Sequence, residues 1–563
     1  MKILIVSLLR VGDLLLSAPA LRDLRVRYPD SEIHLLVNTQ SLRAVPLLPM
    51  IDKIHSFDRE DIQRSLGESD RPFFEGFDRI SQMIDHLNGE KFDLVINLTH
   101  TRLSGYILSL IEAKTKNGLC IDAQMKPTFG SKWFRFLNDQ VDLDSKDVFH
   151  FNDIFRFGMG VGETTPRSAC LVVSEAGRAE AKKVLESAQV TGTVIAVQPF
   201  TSDEKKDWPL PQLAKALKGF SVRHPEAVFA ILAAPFESDR LQSFIDGLKS
   251  DGVSAFIAVT TLEGAAGILE KSKLLLTGDT SIKHLAAGLG TKIVEVALGG
   301  SDPYRTGAYR HGSIIVRSKE TCAPCVHSKP CHRERRFCAE RMPSDAIAMI
   351  ASEVYSGRVF QVGAIASEFA SEIEVLKVDC QSLGRFELSQ INPMFTEISV
   401  ARSIDRLCRK MWFSDIKKPI DGLGSQTRRQ WSHLKADFPA VSEFEWRHLF
   451  GIFESQVTTA EGRIHSLKIS IKTLNGSFEN QKSYSETVRS IIAFREKIRH
   501  SPLLGLLVPL LDGVVEDDIS PAFTRLRRLN DVISEIETRT ALYRTVIRSL
   551  DQSIDSVLEM ENP

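Results

Sequence analysis

The sequence has no long apolar run and no surplus of charge of either sign. No stretch reaches the roughly 18 uninterrupted apolar residues typical of a membrane-spanning helix. Lys and Arg number 71 against 72 Asp and Glu, a net charge of −1, so the composition favours no nucleic-acid partner. Apolar content of 43% is ordinary for a soluble globular protein, and 563 residues predict about three or four domains.

Several familiar signatures are also missing. There is no GxGxxG dinucleotide fingerprint and no P-loop. Eight cysteines in 563 residues are too few for a disulfide scaffold. A secretory signal is not expected, because Arg10 and Asp13 interrupt the first apolar run and Pro19 adjoins any cleavage point. We therefore expect a cytoplasmic protein.

Residues 1–170 alternate apolar strands with helical segments, which predicts a doubly wound, mainly parallel sheet. Ligands of such sheets bind beyond the carboxyl ends of the strands. Asp13 lies there after the first strand, either as a helix cap or as a general base facing the cleft. Arg102 follows the fourth strand at the same edge, either solvated or bound to an anionic substrate group. The expected strands are Lys2–Leu9, Glu32–Val37, Lys53–Phe57, Phe92–Leu98 and Asn117–Ile121.

Residues 171–357 contain a second alternating series. The stretch from Leu274 to Pro303 predicts a strand, a capped helix from Ile282 to Leu289, a second strand and a polar loop. The free N–H groups at the start of that helix suit a phosphate or diphosphate, although an ordinary βαβ unit has the same pattern. The expected strands are Thr193–Gln198, Ala227–Leu232, Ala255–Val259, Lys273–Leu276 and Ile293–Leu298.

The loop after the first strand of this series contains hydroxyls and two lysines, PFTSDEKKDWP. The lysines either neutralise a diphosphate leaving group or are simply solvated. We expect this loop to open into the same cleft as residues 279–284.

Together these stretches resemble the ADP-heptose:lipopolysaccharide heptosyltransferase family, the inverting glycosyltransferases of family 9. The resemblance covers roughly residues 1–350. It rests on the order and spacing of KILIVSLLRVGDLLLSAPALRDLRVRYPDSEIHLLV, PFTSDEKKDWPLPQLAKAL, TGDTSIKHLAAGLGTKIVEVALGGSDP and the cysteines that follow. It implies an α/β GT-B fold, in which an acceptor domain (1–170) and a nucleotide-sugar domain (171–357) are two facing Rossmann-like domains.

The resemblance also implies residue roles. Asp13 would be the general base and Lys206 would stabilise the donor phosphates. The remaining donor-site positions would be Thr201, Asp279, Thr280, Ser281, His284 and Ser301. Catalysis would be a single inverting displacement that requires no cofactor. The partners would be a nucleotide sugar and a lipid-linked or glycan acceptor, at the cytoplasmic face of the inner membrane and peripheral to it.

Two positions depart from the family pattern. The family usually has Gly where this chain has Ser281, and a side chain there would crowd a phosphate approaching the backbone. Ser301 stands where a Thr is usual, which keeps the hydroxyl and loses a methyl group. Both departures bear on whether the donor is ADP-heptose itself.

Four cysteines follow the second series with the spacing C-x2-C-x5-C-x6-C: Cys322, Cys325, Cys331 and Cys338. Four thiolates can form a tetrahedral site for structural zinc or iron, with His327 and His332 as substitute ligands. In a protein-heptosylating branch of the family, cysteines in this region bind iron. Reduced thiols and a redox-dependent disulfide are the alternatives.

Residues 358–563 lie outside the resemblance. A hairpin is expected from Glu372–Asp379 and Arg385–Ile391, followed by helices. The expected helices are Glu397–Trp412, Ser425–Lys435, Ser442–Thr473, Ser483–Ile498 and Ala522–Leu558. We interpret this region as a mainly α-helical extension for oligomerisation, membrane-surface docking or partner binding.

Three hypotheses follow for the whole chain. The first is a heptosyltransferase that builds lipopolysaccharide core. The second is a protein- or surface-glycan-modifying relative with another donor. The third is a catalytically silent GT-B scaffold, against which the presence of Asp13, Lys206, Asp279 and His284 argues.

Overall fold

The chain forms two compact units in the computed structural model, Met1–Val141 with Phe149–Ile391 and Asp142–Val148 with Asn392–Pro563. The structure describes residues 1–67, 73–140, 149–162, 169–320, 322–325, 330–331, 333–380, 385–391, 442–474 and 481–499, with single positions at 404, 501 and 504 and between 533 and 551. The predicted helices Glu397–Trp412 and Ser425–Lys435, and the candidate ligands His327 and His332, lie outside the described residues.

The first unit begins with a five-stranded parallel sheet in the order β3-β2-β1-β4-β5. Its strands are β1 (Lys2–Ser7), β2 (Glu32–Asn38), β3 (Lys53–Phe57), β4 (Phe92–Asn97) and β5 (Ala113–Gly118). The first four match the predicted strands to within two residues. The fifth begins earlier than predicted, because its sequence AKTKNG is polar and forms an edge strand without an apolar signal. The short strands β6 (Cys120–Ile121) and β7 (Pro127–Thr128) pair separately.

A second sheet of eight strands follows in the order β10-β9-β8-β11-β12-β13-β14-β15. Six of the strands are parallel, and they have the strand order of a Rossmann fold. They are β8 (Thr193–Gln198), β9 (Ala227–Ala233), β10 (Ala255–Val259), β11 (Leu274–Thr277), β12 (Ile293–Ala297) and β13 (Ile314–Ser318). Strand β13 was not predicted, because only three apolar residues mark it.

The predicted hairpin is confirmed as β14 (Ile373–Asp379) and β15 (Glu387–Gln390). It adds two antiparallel strands to the second sheet through β13, which pairs Val316 with Val375. These strands lie beyond the expected boundary at residue 357 and belong to the first compact unit.

Helices cover both sheets of the first unit, so the α/β fold class is confirmed. Around the first sheet they are α1 (Val11–Arg27), α2 (Arg59–Gly67), α3 (Phe73–Gly89), α4 (Arg102–Leu110), α5 (Lys132–Gln140) and α6 (Phe151–Gly158). Around the second sheet they are α7 (Glu175–Ser187), α8 (Leu210–Arg223), α9 (Ser238–Ser250), α10 (Leu262–Lys271), α11 (Ser281–Leu289), α12 (Pro303–Thr306), α13 (Phe337–Glu340), α14 (Ser344–Ser356) and α15 (Val362–Glu368). Short 3₁₀ turns are Thr39–Leu47, Glu204–Lys206, Pro235–Glu237 and Val359–Gln361.

A buried network joins the two halves of the first unit. Arg156, fully buried on α6, donates to Asp23 of α1 at 2.7 Å and to the hydroxyl of Tyr309 at 3.2 Å. The Tyr309 hydroxyl in turn donates to Asp153 at 2.6 Å. The backbone N–H of Phe386, from the second sheet, donates to the other oxygen of Asp153. Because these groups satisfy one another away from water, the network ties α1 and α6 to the second sheet.

The second compact unit contains α16 (Glu443–Leu474) and α17 (Gln481–Arg499), so a helical extension is confirmed there. Buried apolar residues recur on α16 at alternating intervals of four and three, a coiled-coil pattern. They are Trp446, Phe450, Phe453, Val457, Ala460, Ile464 and Leu467. Ion pairs Arg548–Glu454 and Arg544–Glu461 connect α16 to a helical segment near the C-terminus. This row of apolar side chains on α16 is therefore buried within the chain itself.

No helix in the part of the chain that the structure describes has the length and apolar character to cross a bilayer.

Candidate active site

The helix α11 starts at the carboxyl edge of the second sheet, as predicted. The Thr280 hydroxyl caps it by accepting from the backbone N–H of Lys283 at 3.3 Å. The helix ends at Gly290, whose φ of +84° is the left-handed conformation that glycine adopts without strain. The first N–H groups of α11, starting at Ser281, therefore point into the loop between β11 and the helix.

Four buried charges lie beneath this loop. The Lys206 ammonium donates to Asp279 Oδ2 at 2.9 Å, and the Lys283 ammonium donates to Asp279 Oδ1 at 2.5 Å. Lys283 also donates to Glu295 Oε1 at 2.9 Å. The other Glu295 oxygen accepts from the backbone N–H of Ala308. We call these side chains the charge quartet: Lys206, Asp279, Lys283 and Glu295.

Burial and ion pairing shift the pKa values of the quartet in opposite directions. Burial disfavours the ionised form of Asp279, but Lys283 and Lys206 outweigh it and lower the pKa of that carboxyl. Burial also disfavours the charged form of Lys283, yet Asp279 and Glu295 raise its pKa. In contrast, burial raises the pKa of Glu295 in spite of Lys283. Asp279 is therefore the firmly ionised centre of the quartet.

The predicted donor residues gather around the quartet. His284 is buried, and burial lowers its pKa well below the usual range, so the ring is neutral at pH 7. Among the described residues, His284 Nδ1 and the Ser301 hydroxyl have no hydrogen-bond partner. The Thr201 hydroxyl instead donates to the Asp203 carbonyl at 2.7 Å, and its methyl group faces Gly278. Two polar atoms thus remain available to a ligand.

The loop after β8, which contains Lys205 and Lys206, is in close contact with the loop after β12. Gly299 has a φ of +57°, and a Cβ atom there would lie 2.4 Å from the Lys205 carbonyl oxygen. Only glycine fits this approach. Cys325 N–H donates to the Gly299 carbonyl at 2.8 Å, so the cysteine segment supports the same loop.

Asp13 lies in the first turn of α1, at the carboxyl edge of the first sheet. Burial raises the pKa of its carboxyl; Arg10 opposes the rise and Asp279 adds to it. A Cβ atom on Gly12 would lie 3.5 Å from Ser281 Cβ, so the first loop meets the start of α11. The structure thus brings together Asp13, Lys206, Asp279 and Ser281.

Arg102 lies apart from the quartet, exposed at the start of α4, whose cap is Thr101. Beside it, His100 follows β4 with both ring nitrogens buried and, among the described residues, without a hydrogen-bond partner. Burial lowers the pKa of His100 to about 4. The Thr99 hydroxyl accepts from Leu8 N–H at 2.8 Å and fixes this loop to the end of β1.

The sequence did not indicate the roles of three of these residues. Lys283 and Glu295 were predicted only as parts of a helix and a strand, and nothing in the sequence pairs residues 12 positions apart on different elements. The sequence did offer one signal: Glu295 is a charged residue inside the apolar run IVEVAL, and buried charges need a partner. His100 lies between the predicted strand Phe92–Leu98 and Arg102, where no motif marks it.

The four clustered cysteines are close enough to influence one another. Burial raises the pKa of the Cys325 thiol, and Cys338, Cys322 and Cys331 add to the rise. However, among the described residues no three cysteine sulfurs lie within 4.8 Å of one another, whereas a His-His-Glu group elsewhere meets that limit. The thiols are therefore near each other without forming an assembled tetrahedral set.

Comparisons with known proteins concern the family and the fold. Residues 80–334 match the model of glycosyltransferase family 9 (heptosyltransferase). Lipopolysaccharide heptosyltransferase 3 of Escherichia coli is 21% identical over 287 residues, which cover 51% of this chain and 80% of that protein. The protein of the same name from Escherichia coli strain K12 is 16% identical over 289 residues, 51% of this chain and 79% of that protein.

A crystal structure of a family 9 glycosyltransferase from Veillonella parvula DSM 2008 has a similar fold. Its TM-score is 0.50 at 18% identity, and the match covers 63% of this chain and 97% of that structure. The fold class, the family model and the curated relatives agree: residues 80–334 match glycosyltransferase family 9, and the chain is a glycosyltransferase.

Proposed function

We propose that this enzyme transfers a heptose from ADP-heptose to a lipopolysaccharide core acceptor with inversion at the anomeric carbon. The names of the curated relatives support the sugar and the acceptor class. The observation that carries the proposal is the juxtaposition of Asp13 with the Lys206–Asp279 pair at the start of α11. This proximity supports a carboxylate base acting opposite cationic and backbone groups that suit a diphosphate.

Asp13 acts as the general base. Its carboxylate accepts the proton of an acceptor hydroxyl, and the oxygen attacks the anomeric carbon of the donor. The bond from that carbon to the diphosphate oxygen breaks, and the nucleoside diphosphate leaves. Because burial raises the pKa of Asp13, its carboxylate is a stronger base than that of an exposed aspartate.

Lys206 and the N-terminus of α11 stabilise the leaving diphosphate. Lys206 is at the mouth of the quartet, with a side chain 10% exposed, whereas the Lys283 side chain is fully buried. When Lys206 turns to the diphosphate, Lys283 remains bonded to Asp279. The loop therefore keeps its shape while one cation changes partner.

Neutral hydrogen-bonding groups complete the donor site. His284 Nδ1 and the Ser301 hydroxyl are free, among the described residues, to bind the donor sugar or phosphate. Thr280 and Thr201 shape the two loops, and Ser281 adds a side chain where the diphosphate approaches. Cations and backbone dipoles supply the electrostatic stabilisation, so the proposal includes no catalytic metal.

Arg102 and His100 lie on the acceptor side of this proposal. Arg102 supplies a cation for an anionic acceptor group. His100, neutral because its pKa is about 4, offers hydrogen bonds to hydroxyls. The C-terminal helical unit is proposed to dock the enzyme at the cytoplasmic face of the inner membrane or to mediate oligomerisation.

The cysteine segment is proposed to hold structural zinc or iron. Cys322, Cys325, Cys331 and Cys338 are the ligands, and small loop adjustments would bring the neighbouring thiols together. Through Cys325, bonded to Gly299, such an ion would stiffen the loop beside Lys205. Metal analysis of reduced protein, with and without substitution of these cysteines, tests this assignment.

A transfer assay tests the function. Purified enzyme is incubated with heptose-deficient lipopolysaccharide core and with ADP-heptose, UDP-glucose or GDP-mannose in turn. The expected result is heptose transfer from ADP-heptose only, with NMR showing the inverted anomeric configuration. Transfer from another nucleotide sugar would overturn the donor, and transfer only to a protein acceptor would overturn the acceptor. No turnover with any pair would favour a silent scaffold.

A further inference from the structure

A second cluster of ligand-bearing side chains lies at the amino edge of the first sheet, away from the transfer site. It consists of His34 on β2, His55 on β3 and Glu90 after α3. One ligand atom from each lies within 4.8 Å of the other two. We call it the His34–His55–Glu90 cluster.

The fold brings these residues together from separate elements. His34 pairs with Lys53 across the strands, and Leu36 pairs with His55, so both histidines project from the same face of the sheet. Helix α3 covers that face, and Leu87 packs in the same core as Leu36. Glu90 directly follows the end of α3 and thus reaches the two histidines.

The two imidazoles face each other. His34 Nδ1 lies 2.9 Å from His55 Nε2, and the exposed fractions of the two residues are 0% and 7%. Neutral imidazole lone pairs are what a metal ion binds. The nitrogen separation is a few tenths of an ångström less than in a tetrahedral site with metal–nitrogen bonds of about 2.0–2.1 Å.

Surrounding groups fit a metal site as well. Glu32 Oε1 lies 3.0 Å from His34 Nε2, the ring nitrogen on the far side from His55, although the two atoms are not aligned as a hydrogen bond. Metal-binding histidines usually direct their second nitrogen at a carboxylate. With His34 protonated on Nε2 and His55 protonated on Nδ1, both facing nitrogens carry lone pairs and can coordinate without a proton leaving the protein. The ring of His86, exposed in the last turn of α3, is centred 5.3 Å from that of His55.

Two lysines compete with a cation for Glu90. Lys2 donates to Glu90 Oε2 at 2.8 Å, and Lys53 contacts Oε1. Their side chains are 37% and 43% exposed, so both can move into solvent. They hold Glu90 near the histidines, and a divalent cation bound there would displace one of them.

We propose that His34, His55 and Glu90 bind a divalent cation of the zinc class, with His86 or water as the fourth ligand. Two imidazoles and one carboxylate are a typical ligand set for zinc. The ion would join β2, β3 and α3 and so stabilise the first sheet. This role is independent of the proposed transfer reaction and of the cysteine segment.

Cobalt titration of the metal-free full-length protein tests the site. Co²⁺ bound by nitrogen and oxygen ligands gives visible absorption bands without the near-ultraviolet charge-transfer bands of thiolate ligands, which separates this site from the cysteines. We expect such bands at one equivalent, their loss on addition of Zn²⁺, and a higher melting temperature with Zn²⁺.

Variants assign the ligands. We expect the double variant His34→Gln/His55→Gln to lose the cobalt bands, and Glu90→Gln to weaken Zn²⁺ binding by about tenfold or more. Glu90 follows the end of α3 and its side chain is 12% exposed, outside the apolar core, so Glu90→Gln keeps the test valid if the double variant does not fold. His465→Gln, an exposed histidine on α16, is the matched control and should bind as wild type does. Unchanged Zn²⁺ affinity in Glu90→Gln, or cobalt bands of thiolate origin only, would show that the histidines form a buried hydrogen bond and no metal site.

Discussion

At the carboxyl edge of the second sheet, two lysines and two carboxylates satisfy one another, whereas Asp13, at the same edge of the first sheet, has no ion pair among the described residues. His100, also at the first edge, has two buried ring nitrogens without partners there. The charges at the edge of the second sheet, the proposed donor side, are thus paired before any ligand binds, whereas polar groups at the edge of the first sheet, the proposed acceptor side, are not. The difference suits a reaction in which the first sheet supplies a reactive base and the second supplies a prepared anion site.

The largest expected effect is on kcat, from substitution of Asp13 at the edge of the first sheet. Asp13→Asn removes the proposed base and preserves its shape, so kcat should fall by about 10²- to 10⁴-fold, the usual range for general base catalysis. Steady-state transfer kinetics measure this change. Asp30→Asn, an exposed aspartate in the turn before β2, should retain wild-type kcat. A comparable loss in both variants would remove the distinction between the two edges.

The second prediction tests whether the ion pairs of the charge quartet, at the edge of the second sheet, stabilise the fold. Lys283→Met leaves Asp279 with a single lysine and Glu295 without its cation, which should cost about 3–5 kcal/mol of unfolding free energy. Thermal or denaturant unfolding measures the loss. Adding Glu295→Gln should restore at least half of it, because the uncompensated charge is removed. If Lys283→Met were as stable as wild type, the quartet would not be structural.

Lys206 and Lys205 are adjacent and allow a matched comparison. Lys206→Met should weaken ADP binding by about 10- to 100-fold, because the cation that faces the diphosphate is lost. Lys205 pairs with Asp203 within its own loop, so Lys205→Met should weaken binding by less than about threefold. Equal losses in the two variants would mean that the loop provides only a general positive charge.

Lowering the pH should reduce kcat because Asp13, at the edge of the first sheet, becomes protonated. Because burial raises its pKa, the base becomes protonated at a higher pH than an ordinary aspartate, and kcat should fall as pH falls through that raised value. The same shift means that ionised Asp13 costs folding free energy at neutral pH. Asp13→Asn should therefore raise the melting temperature at pH 7 by on the order of 1–2 °C. A lower melting temperature would contradict the assigned direction of the shift.

The chain order of strands and helices could be predicted wherever apolar runs were long. Helix α11 begins at Ser281, one residue before the predicted Ile282, and ends at the predicted Leu289, because capping residues mark both ends in the sequence. The polar edge strand β5 was shifted and β13 was missed, because their positions depend on neighbouring strands more than on their own residues.

The site was predictable to a smaller extent. The resemblance to family 9 named Asp13, Lys206, Asp279 and His284, which the fold places at the two facing edges. The bonds of Lys283 could not be predicted, because they join a helix to a strand through tertiary contact. The His34–His55 contact depends on strand register in the same way.

Calorimetric titration of ADP into wild type and Asp13→Asn tests most directly whether the two edges have separate tasks. Neutralising Asp13 removes a negative charge near the diphosphate site, so the variant should bind ADP with unchanged or up to about threefold higher affinity while transfer is lost. A Kd weakened by about tenfold or more would show that Asp13 belongs to the donor site and would contradict the account.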